Sequence, residues 1–259
     1  MLTRVLSFAT SLLFTTSLAQ TQEDKDTYPD YAKNLDLFGI TWEPIKVKTE
    51  NGWTLTLIHL TGKVDTGPTK TADRPSLIFQ HGMGGDASEW VMSINQMLPE
   101  PIQSDKPTLA VQMMEMGFDV FLANIAGCRY SQENDHYTPE DPEFWQMDWR
   151  QYGQYDMPAF VGEIRKRNGG KKVAYVGHSQ GTTQAFAGMG LIPEWYDKNI
   201  STAAFLGPCA TPNWEQIQDI YVETDMRWLH DNGIYVLNYS GDSWQETKEF
   251  IMAEGTPGI

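Results

Sequence analysis

The sequence predicts an α/β fold with a mostly parallel sheet that carries helices on both faces. Two observations support this prediction. Short apolar runs of strand length alternate along the chain with helical patterns, which is typical of strand–helix–strand units. The chain also has 259 residues, 41% of them hydrophobic, so it is long enough to bury the core of one such domain.

The first predicted element is a hairpin. Ile45–Lys48 and Trp53–Leu60 flank a turn at Glu50-Asn51-Gly52 and are expected to pair antiparallel. The polar stretch Gly62–Arg74 is predicted to be a loop. The next predicted elements are two apolar strands, Ser76–Gln80 and Asp119–Ala123, and two helices, Trp90–Leu98 and Leu109–Met116.

The second half of the chain continues the same alternation. Asp148–Arg167 is predicted to be mostly helical, with an interruption near Pro158. The apolar run Val173–Val176 is predicted to be a buried strand, and the small residues after it favour a tightly packed helix. Thr202–Leu206 is predicted to be a further strand.

The most specific motif follows the strand that ends at Val176 and reads GHSQG at residues 177–181. G-x-S-x-G between a strand and a helix is the nucleophile elbow of α/β hydrolases. Ser179 would then lie at the tip of a strained turn, with its Oγ facing a cleft. Gly177 and Gly181 would let the strand and the helix approach closely. The alternative is a glycine-rich turn with a solvated serine, but the flanking strand and helix favour the elbow.

A second glycine-rich motif reads HGMGG at residues 81–85 and follows another predicted strand. Acyl transfer places negative charge on an oxygen, which fixed backbone N–H groups can stabilise. One donor in this fold follows the nucleophile, here Gln180, and the other lies after an earlier strand, here Met83. A glycine-rich loop without a ligand is the alternative. His81 is expected to brace this loop rather than to act as a base.

The N-terminal residues predict a secreted protein. Residues 1–19 contain one basic residue, Arg4, then an apolar stretch with a small-residue ending at Ala19, which is typical of a cleaved signal peptide. This stretch is too short and too rich in Ser and Thr to span a membrane well, and no later segment predicts a stable span. The mature chain is therefore expected in the secretory pathway, either secreted or in a lysosome-like lumen. Residues 20–36 are predicted to be a polar, exposed leader.

Charge and sequence motifs narrow the possible partners. The formal net charge of −15 argues against nucleic acid and anionic membrane surfaces, and it suits an acidic compartment. Cys128 and Cys209 fit no metal-binding spacing, and they could form one disulfide or remain two free thiols. Asn199 and Asn238 begin glycosylation sequons, so both are candidate acceptors in that pathway.

The sequence resembles the acid lipase family, which includes gastric and lysosomal acid lipases. The resemblance covers roughly residues 38–210, and its most specific parts are YDMPA at 155–159 and YVGHSQGTT at 175–183. It implies hydrolysis of acylglycerols or sterol esters by a serine nucleophile, without a metal or organic cofactor. It assigns Ser179 as the nucleophile and Met83 and Gln180 as the oxyanion donors. The residues that it implies as supports of the elbow and the oxyanion loop are Gly177, His178, Gly181, His81 and Gly82.

The base and the acid of a catalytic triad are not identified. A serine nucleophile needs a base with an orienting carboxylate, and in this fold both follow the serine on loops after later strands. Asp225 and His230 have the right order, but they lie on one predicted helix and are interpreted as surface residues of a cap. Residues 37–210 are expected to form the α/β-hydrolase core and residues 211–259 a partial cap. The chain is accordingly interpreted as a fragment, incomplete at its C-terminal end, or as a degenerate copy.

The leading functional hypothesis is a lipid ester hydrolase that acts through an acyl-Ser179 intermediate and makes transient contact with lipid surfaces. One alternative is a catalytically inactive member of the family that binds lipid in the cleft. Another is an acyltransferase, which would pass the acyl group to an alcohol other than water. Turnover that Ser179→Ala abolishes would favour the enzyme, whereas lipid retention that the change leaves intact would favour the binding protein.

Overall fold

The computed structural model describes residues 21–68, 73–92 and 107–210. In this part of the chain, eight strands form one sheet. The strands are β1 (Ile40–Lys48), β2 (Trp53–Lys63), β3 (Gly67–Pro68), β4 (Ser76–Gln80), β5 (Asp119–Asn124), β6 (Glu133–Asn134), β7 (Val173–His178) and β8 (Ile200–Leu206). The α-helices are α1 (Gln22–Thr27), α2 (Pro29–Asp36), α3 (Leu109–Glu115), α4 (Trp149–Gln151), α5 (Met157–Arg167), α6 (Gln180–Leu191) and α7 (Pro193–Asn199).

The sheet has the order β1-β2-β5-β4-β7-β8, and β3 and β6 both pair with β2. The predicted antiparallel hairpin is present as β1 and β2, and β2 also pairs antiparallel with β5. From β5 onward the sheet is parallel, through β4 and β7 to β8. Because parallel strands all end at the same edge, the loops after β4, β5, β7 and β8 meet there.

Helices cover both faces of the sheet, which confirms the predicted α/β class. The strand β5 shows the division, since side chains alternate between the faces of a pleated strand. Val120 and Leu122 are fully buried in a core with residues of α2 and α3. Phe121 and Ala123 are fully buried in the opposite core, with residues of α5 and α6.

The N-terminal segment differs from the predicted exposed leader. Its second helix, α2, buries Tyr31 and Leu35 completely. The Tyr31 hydroxyl also donates a hydrogen bond of 3.0 Å to Oδ1 of Asn124, at the end of β5. The prediction of a leader at residues 20–36 is therefore wrong for α2. The reason is that two well-placed apolar side chains suffice to anchor a short helix whose other residues are mostly polar.

Two further boundaries differ from the prediction. The loop predicted at Gly62–Arg74 begins within β2, which ends at Lys63, and it contains β3. The helix predicted from Trp90 is instead a short 3-10 helix over Ala87–Trp90. It begins earlier because the Asp86 carboxylate accepts the N–H of Ser88 and caps the first turn. Residues 93–98 of the predicted helix lie outside the described residues.

The helical stretch after residue 148 is interrupted just before Pro158, where the sequence predicts it, but the proline is not the cause. A π-helical segment over Tyr152–Asp156 separates α4 from α5. Pro158 lies in the first turn of α5, where a helix does not need the missing N–H. A Cβ on Gly153 would collide with backbone atoms of Gln184 and Gly188, so the bulged segment packs directly against α6.

Several predicted features lie outside the described residues. They include the signal peptide at 1–19, the cap at 211–259, and the residues Asp225, His230 and Asn238. Within residues 21–68, 73–92 and 107–210, no helix combines the length and the apolar character that crossing a membrane requires. No group of three or more His, Cys, Asp or Glu side chains in these ranges could hold a metal ion.

Candidate active site

The turn between β7 and α6 places Ser179 in a strained conformation. Ser179 has φ 49° and ψ −117°, and it is the only non-glycine residue with positive φ in the described part of the chain. Such a conformation costs about 1–3 kcal/mol and is concentrated at functional sites. The Ser179 N–H donates a 2.9 Å hydrogen bond to the carbonyl oxygen of Leu206, so the end of β8 helps to hold the turn.

Two glycines make this turn sterically possible. A Cβ on Gly177 would lie 2.8 Å from the Tyr175 ring and 2.9 Å from the backbone of Gly181. A Cβ on Gly181 would lie 2.7 Å from the carbonyl oxygen of Gln80 and 3.0 Å from that of His81. The strand, the helix and the loop after β4 therefore approach as closely as the sequence motif predicts.

The loop after β4 lies directly against the elbow. A Cβ on Gly82 would be 3.2 Å from Nδ1 of His178 and 3.3 Å from Cβ of Ser179. Met83 follows Gly82 in this loop, and its side chain is exposed. Gln180 is the first residue of α6, where a backbone N–H has no acceptor within the helix. The helix dipole also places partial positive charge at this end of α6.

His81 is held against this loop from inside the protein. The His81 side chain is buried, and its Nε2 accepts the N–H of Ile125 at 3.4 Å. Nδ1 then carries the proton and donates a 2.8 Å hydrogen bond to the carbonyl oxygen of Gly82. Burial lowers the pKa of His81, which keeps the ring neutral. Both ring nitrogens are therefore occupied by backbone groups.

The serine turn and the loop at residues 81–85 meet at one carboxyl group, that of Glu89, to which the sequence analysis gave no role. Oε1 of Glu89 accepts the N–H of Gly82 at 3.3 Å and lies 3.4 Å from Nδ1 of His178. Burial, together with the nearby charge of Asp86, raises the pKa of Glu89 to about 7. In the sequence, Glu89 looks like an ordinary acidic residue at the surface of a helix, and only the fold places it beside the motifs.

The described residues contain no base next to the serine. Ser179 Oγ has no hydrogen-bond partner among them. Of the four histidines in the described ranges, His81 is occupied as above and His178 faces Glu89. His136 lies beside Gly52, in the turn before β2, and its ring contacts that of Tyr137. His59 is held at the opposite end of β5 by Asp119, at 2.7 Å. The described part of the chain thus brings together the serine turn, the loop at 81–85 and Glu89, without the acid and base of a triad.

Residues 75–242 match the family model described as alpha/beta hydrolase fold. The chain belongs to the α/β-hydrolase family. A second match, to the partial alpha/beta-hydrolase lipase region, covers residues 31–94. The second match begins at Tyr31, so it includes most of the N-terminal helix α2 that packs on the sheet.

The curated relatives of this α/β hydrolase include several lipases. It is 30% identical to gastric triacylglycerol lipase of Bos taurus over 195 residues, which is 75% of this chain and 46% of the relative. It is 32% identical to the human gastric triacylglycerol lipase over 188 residues, which is 71% of this chain and 44% of the relative. The human protein named lipase member K is 30% identical over 182 residues, 70% of this chain and 43% of that protein. The chain spans less than half the length of these relatives, and they confirm the resemblance to the acid lipase family.

The structure also shows the state of the two cysteines and of the predicted glycan acceptor Asn199. The Cys128 and Cys209 thiols are both free, so they form no disulfide. Asn199 is only 3% exposed, at the end of α7, and its Nδ2 donates a 2.7 Å hydrogen bond to the carbonyl oxygen of Trp195. Its Oδ1 accepts a hydrogen bond from Arg165. This burial contradicts Asn199 as a glycan acceptor in the folded hydrolase, because a three-residue sequence pattern contains no information about burial.

We expect Asn199 to carry no glycan when the full chain is expressed through a eukaryotic secretory pathway. A sugar on Nδ2 would replace one of its two N–H groups and would need room beside a side chain that is almost fully buried and already bonded to Trp195. Peptide mass spectrometry after enzymatic deglycosylation checks each sequon separately. Occupancy of Asn238 in the same sample would show that the chain met the glycosylation enzymes. A glycan on most copies of Asn199 would contradict the buried position.

Proposed function

We propose that this α/β hydrolase is a lipid ester hydrolase that cleaves acylglycerols or sterol esters through an acyl-Ser179 intermediate. The observation that carries the proposal is the strained Ser179 between β7 and α6, with the glycine-rich loop at 81–85 packed against it. A serine turn and a facing loop of N–H donors are two of the parts that acyl transfer requires, beside a base. The names of the gastric relatives support acylglycerols as the first substrates to test.

The chemistry assigns a role to each part of the site. Ser179 Oγ attacks the ester carbonyl carbon, and its proton passes to a base. The N–H groups of Gln180 and Met83 would then hold the carbonyl oxygen while it carries negative charge. Collapse of the tetrahedral intermediate releases the alcohol, and water attacks the acyl-serine to release the fatty acid. Gly177, Gly181 and Gly82 permit this arrangement by keeping the space around Ser179 free of Cβ atoms.

The base of this reaction is proposed to lie outside the described residues. His230 is the only histidine that follows Ser179 in the sequence, so it is the first candidate to test. The cap interpretation of His230 makes the opposite prediction, namely that replacing it changes turnover little. If the base belongs to residues that this sequence does not include, replacing His230 will not affect the rate.

The cellular setting is part of the same proposal. The predicted signal peptide and the gastric relatives support a secreted or lumenal enzyme that meets its substrate at a lipid surface. The formal charge of −15 argues against a lasting association with anionic lipids, so contact with the substrate interface would be transient.

The decisive experiment compares the full chain with Ser179→Ala on a short-chain 4-nitrophenyl ester and on emulsified triacylglycerol. We expect the alanine variant to fall to the background rate, because no other group can form the acyl intermediate. Thr202→Ala, which changes an exposed hydroxyl on the neighbouring strand β8, serves as the matched control and should keep the wild-type rate. Clear turnover by the wild type, well above the rate without protein, that Ser179→Ala leaves unchanged would contradict the proposal.

The same samples separate the alternatives. An acyltransferase would transfer the acyl group to added glycerol more often than to water, and mass spectrometry of the products measures this ratio. A lipid-binding protein would show no turnover, and it would retain a fluorescent acylglycerol equally well with and without the Ser179 hydroxyl.

A further inference from the structure

One carboxyl oxygen connects the two halves of the proposed oxyanion site. Oε1 of Glu89 accepts the N–H of Gly82, and Gly82 directly precedes the proposed donor Met83. The same oxygen lies 3.4 Å from Nδ1 of His178, which directly precedes Ser179. The loop and the elbow come from different strands, β4 and β7, and Glu89 spans the gap between them.

The helix that carries Glu89 is itself firmly held. The Asp86 carboxylate accepts the N–H of Ser88 at 2.8 Å, and the N–H of Ala87 donates to Oδ1 of Asn124 at 3.0 Å. The Trp90 ring packs edge-on against the His178 ring, with centroids 6.3 Å apart. The short helix therefore holds the carboxyl group of Glu89 against the elbow. The Glu89 side chain is 29% exposed to solvent.

We propose that Glu89 is a positioning residue of the oxyanion site, which holds Gly82 against His178 and does so productively in its neutral form. This inference rests on the proposed function, because it assumes that an oxyanion develops beside the loop. An ionised carboxylate next to that loop would repel the oxyanion, whereas a neutral carboxyl group would keep the hydrogen bond from Gly82 without adding charge.

The surroundings of Glu89 favour the neutral form in acid. The titratable groups that face it in the described residues are His178 on β7, Asp86 at the cap of its own helix, and His81 in the adjoining loop. Burial and the Asp86 charge raise the pKa of Glu89 to about 7, although the Gly82 N–H opposes this rise. Below that pH the carboxyl group is neutral, so the site is best suited to turnover on the acidic side.

The first test needs no turnover. In the full-length protein, the amide resonance of Gly82 in a ¹H–¹⁵N spectrum should move with pH, with a midpoint of about 7 that reports the Glu89 carboxyl group. Glu89→Gln keeps the shape and the acceptor oxygen but does not titrate, so this movement should disappear. Glu194→Gln changes an exposed acid on α7 and should leave the movement intact. A Gly82 amide that titrates equally in Glu89→Gln would overturn the proposal.

The second test uses the hydrolysis of a neutral short-chain ester. The ratio of kcat/KM for Glu89→Gln to that of the wild type should be close to one at pH 5 and should rise at least fivefold by pH 8.5. Any base common to both proteins cancels in this ratio. Glu89→Ala, which also loses the acceptor for Gly82, should lower kcat at pH 5 by about tenfold or more. A flat ratio, or full activity of Glu89→Ala at pH 5, would overturn the proposal, whereas no turnover in any protein would contradict the proposed function and leave the amide titration to decide on Glu89.

Discussion

Gly153→Ala is expected to lower the free energy of unfolding by about 3 kcal/mol or more. A Cβ at this position in the π-helical segment would overlap the carbonyl oxygen of Gln184, and it would lie 2.7 Å from the backbone nitrogen of Gly188. Both obstacles are backbone atoms of α6, so no side chain can rotate away to make room. The only relief is a shift of α6, and that shift would also move the serine turn at its first residue.

Gly162→Ala is the matched control for this substitution. Gly162 lies in α5, a few residues further on, and a Cβ there would meet no atom within 4 Å. Alanine favours helix over glycine by up to about 1 kcal/mol, so this variant should be slightly more stable than the wild type. Urea unfolding followed by circular dichroism measures both changes. If the two substitutions change stability by similar amounts, α6 does not pack against the bulge as described.

Asp156→Asn is expected to remove a large part of the fall in stability between pH 4 and pH 7; Glu89, whose pKa is also about 7, contributes to the same fall and keeps its share in this variant. Oδ2 of Asp156 accepts the N–H of Ala126 at 2.8 Å, and Oδ1 is buried without a partner in the described part of the chain. Burial raises the pKa of Asp156 from an ordinary value of 3.8 to about 7, and the Ala126 N–H offsets only part of this rise.

Proton binding by Asp156 determines whether stability rises or falls with pH. Because the folded state holds the Asp156 proton up to about pH 7 and the unfolded chain releases it near pH 4, stability falls as the pH rises through this window. Each pH unit is worth about 1.4 kcal/mol, so the full fall is about 4 kcal/mol. Because asparagine does not titrate, the Asp156→Asn protein should not show this share of the fall in the free energy of unfolding.

Urea unfolding at several pH values from 5 to 8 tests the Asp156 prediction. Asp197→Asn, which removes an exposed carboxylate on α7, is the control and should keep the wild-type slope. An Asp156→Asn protein whose stability still falls as steeply as that of the wild type would show that Asp156 titrates near its ordinary pKa.

The sequence predicted the strands well and the contacts between distant residues poorly. The run Ser76–Gln80 is buried along its whole length, so its composition alone identifies a central strand. The elbow could be predicted because its glycines, serine and flanking elements are contiguous. Glu89 could not, because its role depends on residues 82, 89 and 178 meeting in space.

Local patterns failed where the partner lies far along the chain. Tyr31 sits among mostly polar residues, and its contacts with distant partners such as Asn124 and Tyr130 make it a core residue. The bulge at Gly153 exists because α6 packs there, so a proline five residues later was the wrong signal. Asn199 matched a sequon, but its hydrogen bond to Trp195 and its burial decide its chemistry.

The hydrogen bond between Tyr31 and Asn124 also matters for folding during synthesis. The two residues are 93 positions apart, and a ribosome adds about 5–20 residues per second. For roughly 5–20 s of synthesis, the first part of the core therefore waits for the strand on which it will pack. During this interval Tyr31 can already contact Trp42 of β1, but the surface of this core that β5 will cover stays open, so a nascent-chain chaperone would find a binding site there before the serine turn has been made.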